Sequence, residues 1–473
     1  MSMLTHGGLV EREELFRFHT QRQQHIDPDL PLVVVCNYLE LFAGFLDHLG
    51  NPCLRHSRKF ADRDLYWLGD PKLVVTSTPV DEAAALCHRW GCPGTETLSP
   101  EFVSDQLCLD VLRDEQVLRR VVEYAGSRRT LQIVPYVSTP EVYQLAEALR
   151  RDHGLSVSLP ESPAPQDLWV RDYVDTKIGF RLLASEWLND RSMLPMGFIS
   201  HGIDEIVRII LSFLARGQSC VAKYDRGGGG VGNCFFYAQE GLSETAIRDR
   251  LAEQDHLFTQ PAVVEEFIQP HQQLSPSLEL FVPPPGKGAP FITYVCNQLF
   301  EQAGVFVGIL IDRAFTETNW YAPLAEAGLT MARNLQAMGY VGYFDLDAVL
   351  DENERLYLLE INSRRTGGTY VDDFARRMIG PNYQERMTLF STSSVNSGEI
   401  RTTAELLKAL DGLLYPVHNH SGIVITSVST LPEGKFGALL IAPNHEEILE
   451  LWRMLQHRLR LLEPQEAPSG AHS

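Results

Sequence analysis

The sequence predicts an α/β protein with an N-terminal layered domain, a larger mixed central domain and a small α+β C-terminal unit. Three observations carry the prediction. Over residues 1–160, short apolar runs alternate with amphipathic stretches, the pattern of a sheet covered by helices. A glycine-dense loop, "YDRGGGGVGNCFF" (224–236), follows the strand-like run "SCVAK". Farther on, two apolar strands meet at the turn "DENE" and carry paired oxygen-bearing side chains. At 473 residues the chain is long enough for about three domains with ample core.

Composition bounds the function. With 44% apolar and 22% charged residues the chain is globular, and its net charge of −20 argues against nucleic-acid binding, which needs a basic stripe. Acidity does not exclude ATP, because local lysines and Mg²⁺ can overcome the global field. The eight cysteines (36, 53, 87, 92, 108, 220, 234 and 296) contain no C-x-x-C pair. Cys87 and Cys92, in "CHRWGC", lack the second ligand pair that zinc would need. Scattered thiols fit a reducing compartment. The N-terminus has no basic start or apolar h-region, and no run is long enough to span a membrane. The expectation is a cytoplasmic protein with neither a membrane nor a nucleic-acid partner.

The elements follow in order. "PLVVVC" (31–36), "KLVVTS" (72–77) and "TLQIVPYV" (130–137) read as buried parallel strands. After the third, Ser138 and Glu141 suit a capping box, Pro140 the first turn, and Gly154 the stop. No glycine fingerprint follows any of these strands, so a dinucleotide role is not supported. "LPESPAPQD" (159–167) marks a boundary, giving a first domain over 1–165. "VDTKIGFRLLASEWL" then reads as a helix carrying Lys177. The next helix has Ile203, Ile206, Val207, Ile210, Leu211 and Leu214 on one stripe and Gly217 as its stop. The central domain runs over 166–395, with "STSSVNS" (391–397) as a polar linker. A C-terminal domain over 396–462 has a helix, the strands "GIVITSVS" and "GALLIA", and a final helix. The tail 463–473 is expected to be disordered.

The glycine loop decides among phosphate cradles. A Walker loop would continue Gly-Lys-Ser/Thr, but Gly232 is followed by Asn233 and Cys234. Gly227, Gly229 and Gly232 match G-x-G-x-x-G, yet the aromatic "NCFFYAQ" follows where that motif needs a helix. The remaining arrangement is a glycine hairpin, Gly227, Gly228, Gly229, Gly230 and Gly232, between antiparallel strands, with Lys223 just before it. Lys177 and Lys223 flank one strand–helix–strand unit and together could neutralise a triphosphate, although each alone reads as a surface residue. In "AVVEEFIQ" (262–269) an apolar strand ends in Glu265, Glu266, Phe267 and Ile268; it could close a slot for a flat base or end in solvent.

The strongest stretch is "GYFDLDAVLDENERLYLLEINSRRTGGTY" (342–370). Residues two apart in a strand share a face, so Asp345 pairs with Asp347 and Glu360 with Asn362. Hard oxygen ligands without His or Cys suggest Mg²⁺ shared with phosphate. Arg364 and Arg365 follow, chemistry suited to phosphate or a developing oxyanion. A surface hairpin with alternating polar positions would explain the acids but not Asn362 with two arginines beside it.

Lys177, Lys223, the glycine loop, "VVEEFI" and "DLDAVLD…LLEINSR", in this order over about 170–375, resemble the ATP-grasp superfamily of carboxylate–amine ligases. The resemblance implies a pre-ATP-grasp, Rossmann-like first domain and a two-lobed ATP-grasp core. It implies ATP between two sheets, with both lysines on phosphates, Lys223 also serving catalysis, and the glycine loop closing over them. It places Glu265, Glu266, Phe267 and Ile268 at adenine, Glu279 as the candidate ribose contact, and Asp347, Glu360 and Asn362 on two Mg²⁺ ions. Asp347 is preferred to Asp345 because it lies 13 residues before Glu360 and Asp351 follows it, as in the D-alanine ligase pattern. "NSR" looks like the Asn-x-Arg of biotin carboxylase, which makes Arg364 the catalytic cation. D-alanine ligases carry Arg where this chain has Asp345, which argues against that substrate class. "INSRRTGG", the domain in front and a C-terminal unit with "HNHSG" are similar to the pheganomycin-type peptide ligases. The reaction implied is acyl-phosphate formation from a small carboxylate, then capture by an amine or peptide. The alternative is an ATP-binding regulator that keeps the fold without ligase activity. "HNHSG" (His418, His420) reads as a hydrogen-bonding turn, and a homodimer is left open.

Overall fold

The computed structural model describes residues 25–42, 61–226, 232–253, 260–300, 306–416 and 420–460. Gly227, Gly228, Gly229, Gly230, His418 and the tail 463–473 lie outside them.

The first sheet is parallel and five-stranded: β1 (Leu32–Val35), β2 (Lys72–Val75), β3 (Thr95–Leu98), β4 (Thr130–Pro135) and β5 (Ser156–Ser158), in the order β3-β2-β1-β4-β5. Winding starts at β1, moves out to β3, then crosses to β4 on the other side, so the order reverses between β1 and β4. Val33, Val35 and Ile133 pack under the helices Leu107–Arg113, Glu115–Tyr124 and Pro140–Arg151, whereas Val34, Val74 and Val134 face a second core. Burial on both faces explains why these strands read as unbroken apolar runs. The edge strands β3 and β5, "TETL" and "SVS", carry no such signal. The helix Pro140–Arg151 starts at its proline, but its cap is Thr139, whose hydroxyl accepts from Val142 N. The expected Ser138–Glu141 box is therefore corrected; Ser138 Oγ donates instead to Ser162 Oγ at 2.8 Å.

The short helix Leu168–Val174 and the helix Lys177–Trp187 lead into a four-stranded antiparallel sheet. It comprises β6 (Gly197–His201), β7 (Cys220–Tyr224), β8 (Asn233–Phe236) and β9 (Pro261–Glu266), in the order β6-β9-β7-β8. Ile206, Val207, Ile210 and Phe213 of the helix Ile203–Leu214 pack on one face of it, with Ile247 and Leu251 of the helix Glu244–Ala252.

The third sheet is antiparallel and has eight strands: β10 (Pro276–Val282), β11 (Phe291–Phe300), β12 (Phe306–Ile311), β13 (Gly342–Leu350), β14 (Leu356–Asn362), β15 (Thr388–Asn396), β16 (Gly422–Ser427) and β17 (Lys435–Ala442). Their order is β14-β13-β10-β11-β12-β15-β17-β16. The helix Tyr321–Ala337 packs closely on β10: a Cβ at Gly328 would meet Leu278 Cδ2 at 2.7 Å. One expectation fails here. "STSSVNS" is no linker; it forms most of β15, hydrogen-bonded between β12 and β17. The C-terminal strand pair thus extends the large sheet.

Candidate active site

The site starts from the register of one hairpin. β13 and β14 pair with Asp345 opposite Asn362 and Asp347 opposite Glu360. On its other side β13 meets β10, with Glu279 opposite Asp345 and Ser277 opposite Asp347. Residues directly across a ladder share a face, so these six polar side chains line one surface. The alternate residues, Leu278, Leu280, Phe344, Leu346 and Ile361, lie in the core beneath.

Hydrogen bonds order this surface. Asp347 accepts from Gln298 Nε2 and from Asn362 Nδ2, each at 3.0 Å. Burial, with the Glu360 charge second, pushes the Asp347 carboxyl up to about 7. Burial and the Asp347 charge also raise Asp345, whose buried Oδ1 has no hydrogen-bond partner. Glu360 is ion-paired with Lys177. Burial opposes ionisation of both, yet their mutual attraction prevails: Glu360 is held below its ordinary value and Lys177 above. Lys223 is close enough to contribute to the depression of Glu360.

The lysines arrive from different elements. Lys223 is the fourth residue of β7, and Lys177 opens a helix capped by Thr176 Oγ1, which accepts from Gly179 N at 2.8 Å. Asp225 joins them: its carbonyl accepts from Lys177 N at 3.0 Å and its Oδ1 from Ile178 N at 2.9 Å. The strands on either side of the glycine segment pair with Lys223 opposite Asn233, and Tyr224 N donates to Gly232 O. Gly232 has φ of +83°, a conformation that suits glycine. Lys223 Nζ pairs with Glu265 Oε1 at 2.5 Å, and Arg181 holds the other oxygen at 3.2 Å. Glu265 therefore enters as a buried counter-charge. The backbone N–H groups of Glu266 and Phe267 are already donated to Met196 O and Ser219 O, so neither is free for a base. The Phe267 ring stands edge-on to Phe235 and Tyr237, and Ile268 beside it is half-buried.

Arg364 and Arg365 separate by function of place. Arg364 Nη1 donates to Asp175 Oδ1 and its Nη2 to Asn362 Oδ1, both at 2.7 Å. Asp175 also accepts from Ser363 N at 2.8 Å. Arg365 turns away into a buried network with Glu161 and Asp373, stacked over Trp67 and Tyr343. Glu279 differs from expectation. It is fully buried and accepts from Thr293, Tyr294, Thr366 and Thr369 hydroxyls, an enclosure with no opening for a ribose. His420 accords with a turn: it has φ of +60° and a 3.2 Å contact to Tyr415 OH.

Sequence reasoning missed Asp175, Asp225 and Gln298. Among the described residues no three acidic, His or Cys side chains converge as a metal-binding group. Lysine and amides now take the carboxylates' lone pairs. The donor set nevertheless fits a hard cation: it is all oxygen, its carboxyls are crowded and resist ionising together, and Asp345 keeps a bare buried oxygen.

No family model matches the chain. Among solved structures it is similar to the biotin carboxylase of Campylobacter jejuni, with TM-score 0.56 and 13% identity, covering 93% of this chain and 96% of that one. The biotin carboxylase domain of Hydrogenobacter thermophilus 2-oxoglutarate carboxylase, solved with MgADP, ADP and bicarbonate, matches at TM-score 0.54 and 14% identity over 90% of each chain. N5-carboxyaminoimidazole synthetase of Staphylococcus aureus, solved with ADP, matches at 0.51 and 10% over 92% of this chain and 98% of that one. These likenesses assign the ATP-grasp fold. Among curated proteins the chain is similar to the L-propargylglycine–L-glutamate ligase of Streptantibioticus cattleyicolor. That match is 23% identical and covers 90% of this chain and 92% of the ligase.

Proposed function

We propose that the protein is an ATP-dependent ligase that activates the carboxylate of an amino acid or peptide-like substrate and joins it to an amine. The observation that carries this reading is the ladder Asp345–Asn362, Asp347–Glu360, with Arg364 bonded to Asn362 at its end. It sets a cluster of anionic ligands and a fixed cation side by side, with two lysines opposite. The full-length similarity to an amino-acid ligase supports the same reading.

In this reading a substrate carboxylate oxygen attacks the γ-phosphorus of ATP, the bond to the β-phosphate oxygen breaks, and ADP leaves. The amine nitrogen then attacks the acyl carbon, the C–O bond from that carbon to phosphate breaks with its electron pair leaving on the phosphate, and the nitrogen gives up a proton to leave the amide. Asp347, Glu360 and Asn362 would hold Mg²⁺, which supplies charge neutralisation at the phosphates when bound. Lys177 and Lys223 exchange their carboxylate partners for phosphate oxygens. Arg364, held in plane by Asp175 and Asn362, faces the transferring group. The residues act by position and charge. Residues 1–165, 166–395 and 396–462 are proposed as its three units.

The test is ADP release with single amino acids as carboxylate and amine, L-glutamate first, read by mass spectrometry of the products. ADP and an amide should form only when both substrates and Mg²⁺ are present, and EDTA should abolish turnover. Nucleotide binding without ADP release for any pair would favour a silent ATP-binding regulator, and full activity in EDTA would remove the metal assignment.

A further inference from the structure

The face that carries the carboxylates continues past them. Asp347 lies opposite Ser277 and Ser277 opposite Cys296, and alternation along β11 then brings Gln298 and Phe300 to the same side. Gln298 stays in the polar cluster through its 3.0 Å bond to Asp347. Phe300 leaves it: its ring is 43% exposed at the end of the strand. β12 is irregular at this point. Leu299 pairs with Gly308 and Phe300 with Phe306, so Val307 is an extra residue with no counterpart on β11. A bulge of this kind re-aims the side chain beside it. Phe306 turns to the face of Phe300, and the two rings meet edge to face at 6.1 Å. The Phe306 ring also lies against the turn that follows Arg364. A Cβ at Gly367 would sit 3.2 Å from Phe306 Cε1 and 3.7 Å from Arg63 Nη1, and one at Gly368 would sit 2.7 Å from Ile309 Cδ1. Neither glycine adopts the left-handed conformation, so the closeness of these neighbours is what calls for bare backbone.

Phe300 and Phe306 thus form an uncharged wall at the border of a charged site. One end joins Asp347 through Gln298, and the other joins the turn after Arg364 through Gly367. The two substrates of a ligation need different things from such a border. A carboxylate is held by charge, through lysines, arginine and metal. An amine must be uncharged to attack, so charge cannot hold its nitrogen, and its placement has to come from the rest of the molecule. We infer that Phe300 and Phe306 are specificity-determining residues that seat an apolar side chain of the amine substrate, an amino acid or the N-terminal residue of a peptide. The inference rests on the ligase reading for the reaction, but not for the binding of an apolar amino acid to this wall.

The test compares L-leucine and glycine as amines, with the carboxylate that supports turnover, L-glutamate first. L-leucine should exceed glycine on the order of ten- to hundredfold in kcat/KM, the range an apolar pocket gives. Phe300→Ala removes an exposed ring, and Phe306→Leu keeps an apolar side chain at the partly buried position. Each should raise the KM for L-leucine on the order of tenfold, while kcat, the KM for ATP and Tm stay near wild type. Independently of turnover, saturation-transfer NMR with MgADP present should show L-leucine methyl protons in contact with the wild-type protein. The Phe300→Ala/Phe306→Leu double variant should lose that signal. Equal kcat/KM for glycine and L-leucine overturns the inference, as does a KM shift that falls on the carboxylate substrate or equally on ATP. A wild-type protein that releases no ADP with any pair would sink the ligase reading alone, and the NMR signal would still decide on the wall.

Discussion

Arg364 and Arg365 are adjacent in sequence yet have different environments, because the chain has left β14 at Asn362 and the two side chains depart to opposite sides of the turn that follows. Arg364 stays on the carboxylate side, joined to Asn362 two residues earlier, whereas Arg365 is sealed among Glu161, Asp373, Trp67 and Tyr343. Arg364→Ala should lower kcat on the order of 10²–10³ with little change in ATP affinity, since contacts made in the transition state appear in kcat. Arg364→Lys should recover only part of this, because an ammonium cannot reach Asp175 and Asn362 at once in one plane. Single-turnover ADP formation beside an ATP titration checks both. Arg364→Ala with normal ligation would move the catalytic cation elsewhere. Lys177→Ala and Lys223→Ala should each lower turnover by a similar factor; the first also leaves Glu360 without its ion-pair partner, whereas Glu265 keeps Arg181 when Lys223 is lost. Much of this site was legible: alternation alone places Asp345, Asp347, Glu360 and Asn362 on one face. Asp175 and Asp225 were not, because each acts on residues that only folding brings near, although Asp225 stands at the start of the glycine-loop stretch.

At the scale of elements, the helix Lys177–Trp187 shows how local chemistry delivers a side chain. Thr176 caps it, Asp225 docks its first turn, and the preceding short helix crosses directly over Gly179. A Cβ at Gly179 would come within 1.9 Å of Tyr173 O, a backbone atom with no freedom to yield. Gly179→Ala should therefore push the helix off its seat, lower stability by about 1–3 kcal/mol and raise the KM for ATP through Lys177. A thermal melt with an ATP titration tests it; an unchanged pair would show that the two helices are free to part. The same close approach explains why β15 escaped sequence reading. Its Ser and Thr side chains suit a linker by composition, but here Ser391 Oγ meets Tyr370 OH at 2.6 Å and Ser393 Oγ donates to Val307 O. A neighbouring helix and strand satisfy those hydroxyls, and Gly308 lets β12 approach Ser391 O too closely for any side chain. Partners of this kind are long-range, so they leave no local pattern. β3 and β5 were lost for the opposite reason, being short, polar and on sheet edges.

Across the whole molecule, the segment read as a proline-rich boundary is a buried joint. Glu161 within it receives Arg365 through two 2.7 Å hydrogen bonds and His25 through a third, and so couples the end of the first domain to the turn that bears Arg364. Burial alone would raise the Glu161 carboxyl, but Arg365 and His25 outweigh it and hold the group at about 2, against an ordinary value of 4.5. A carboxyl whose folded value is depressed stabilises the fold fully above its unfolded value, and that contribution is lost as pH falls through the folded one. The window is thus pH 4.5 down to about 2. A shift of this size corresponds to about 3 kcal/mol. Glu161→Gln should lower Tm at pH 7, and the gap between variant and wild type should narrow steadily as both are melted at decreasing pH within that window. Other carboxylates titrate there in both proteins, so the difference isolates this joint. A gap that stays constant from pH 7 to pH 2.5 would show that Glu161 is not held ionised by Arg365. The two domains would then be joined at this point by packing on Trp67 and Tyr343, without the charge.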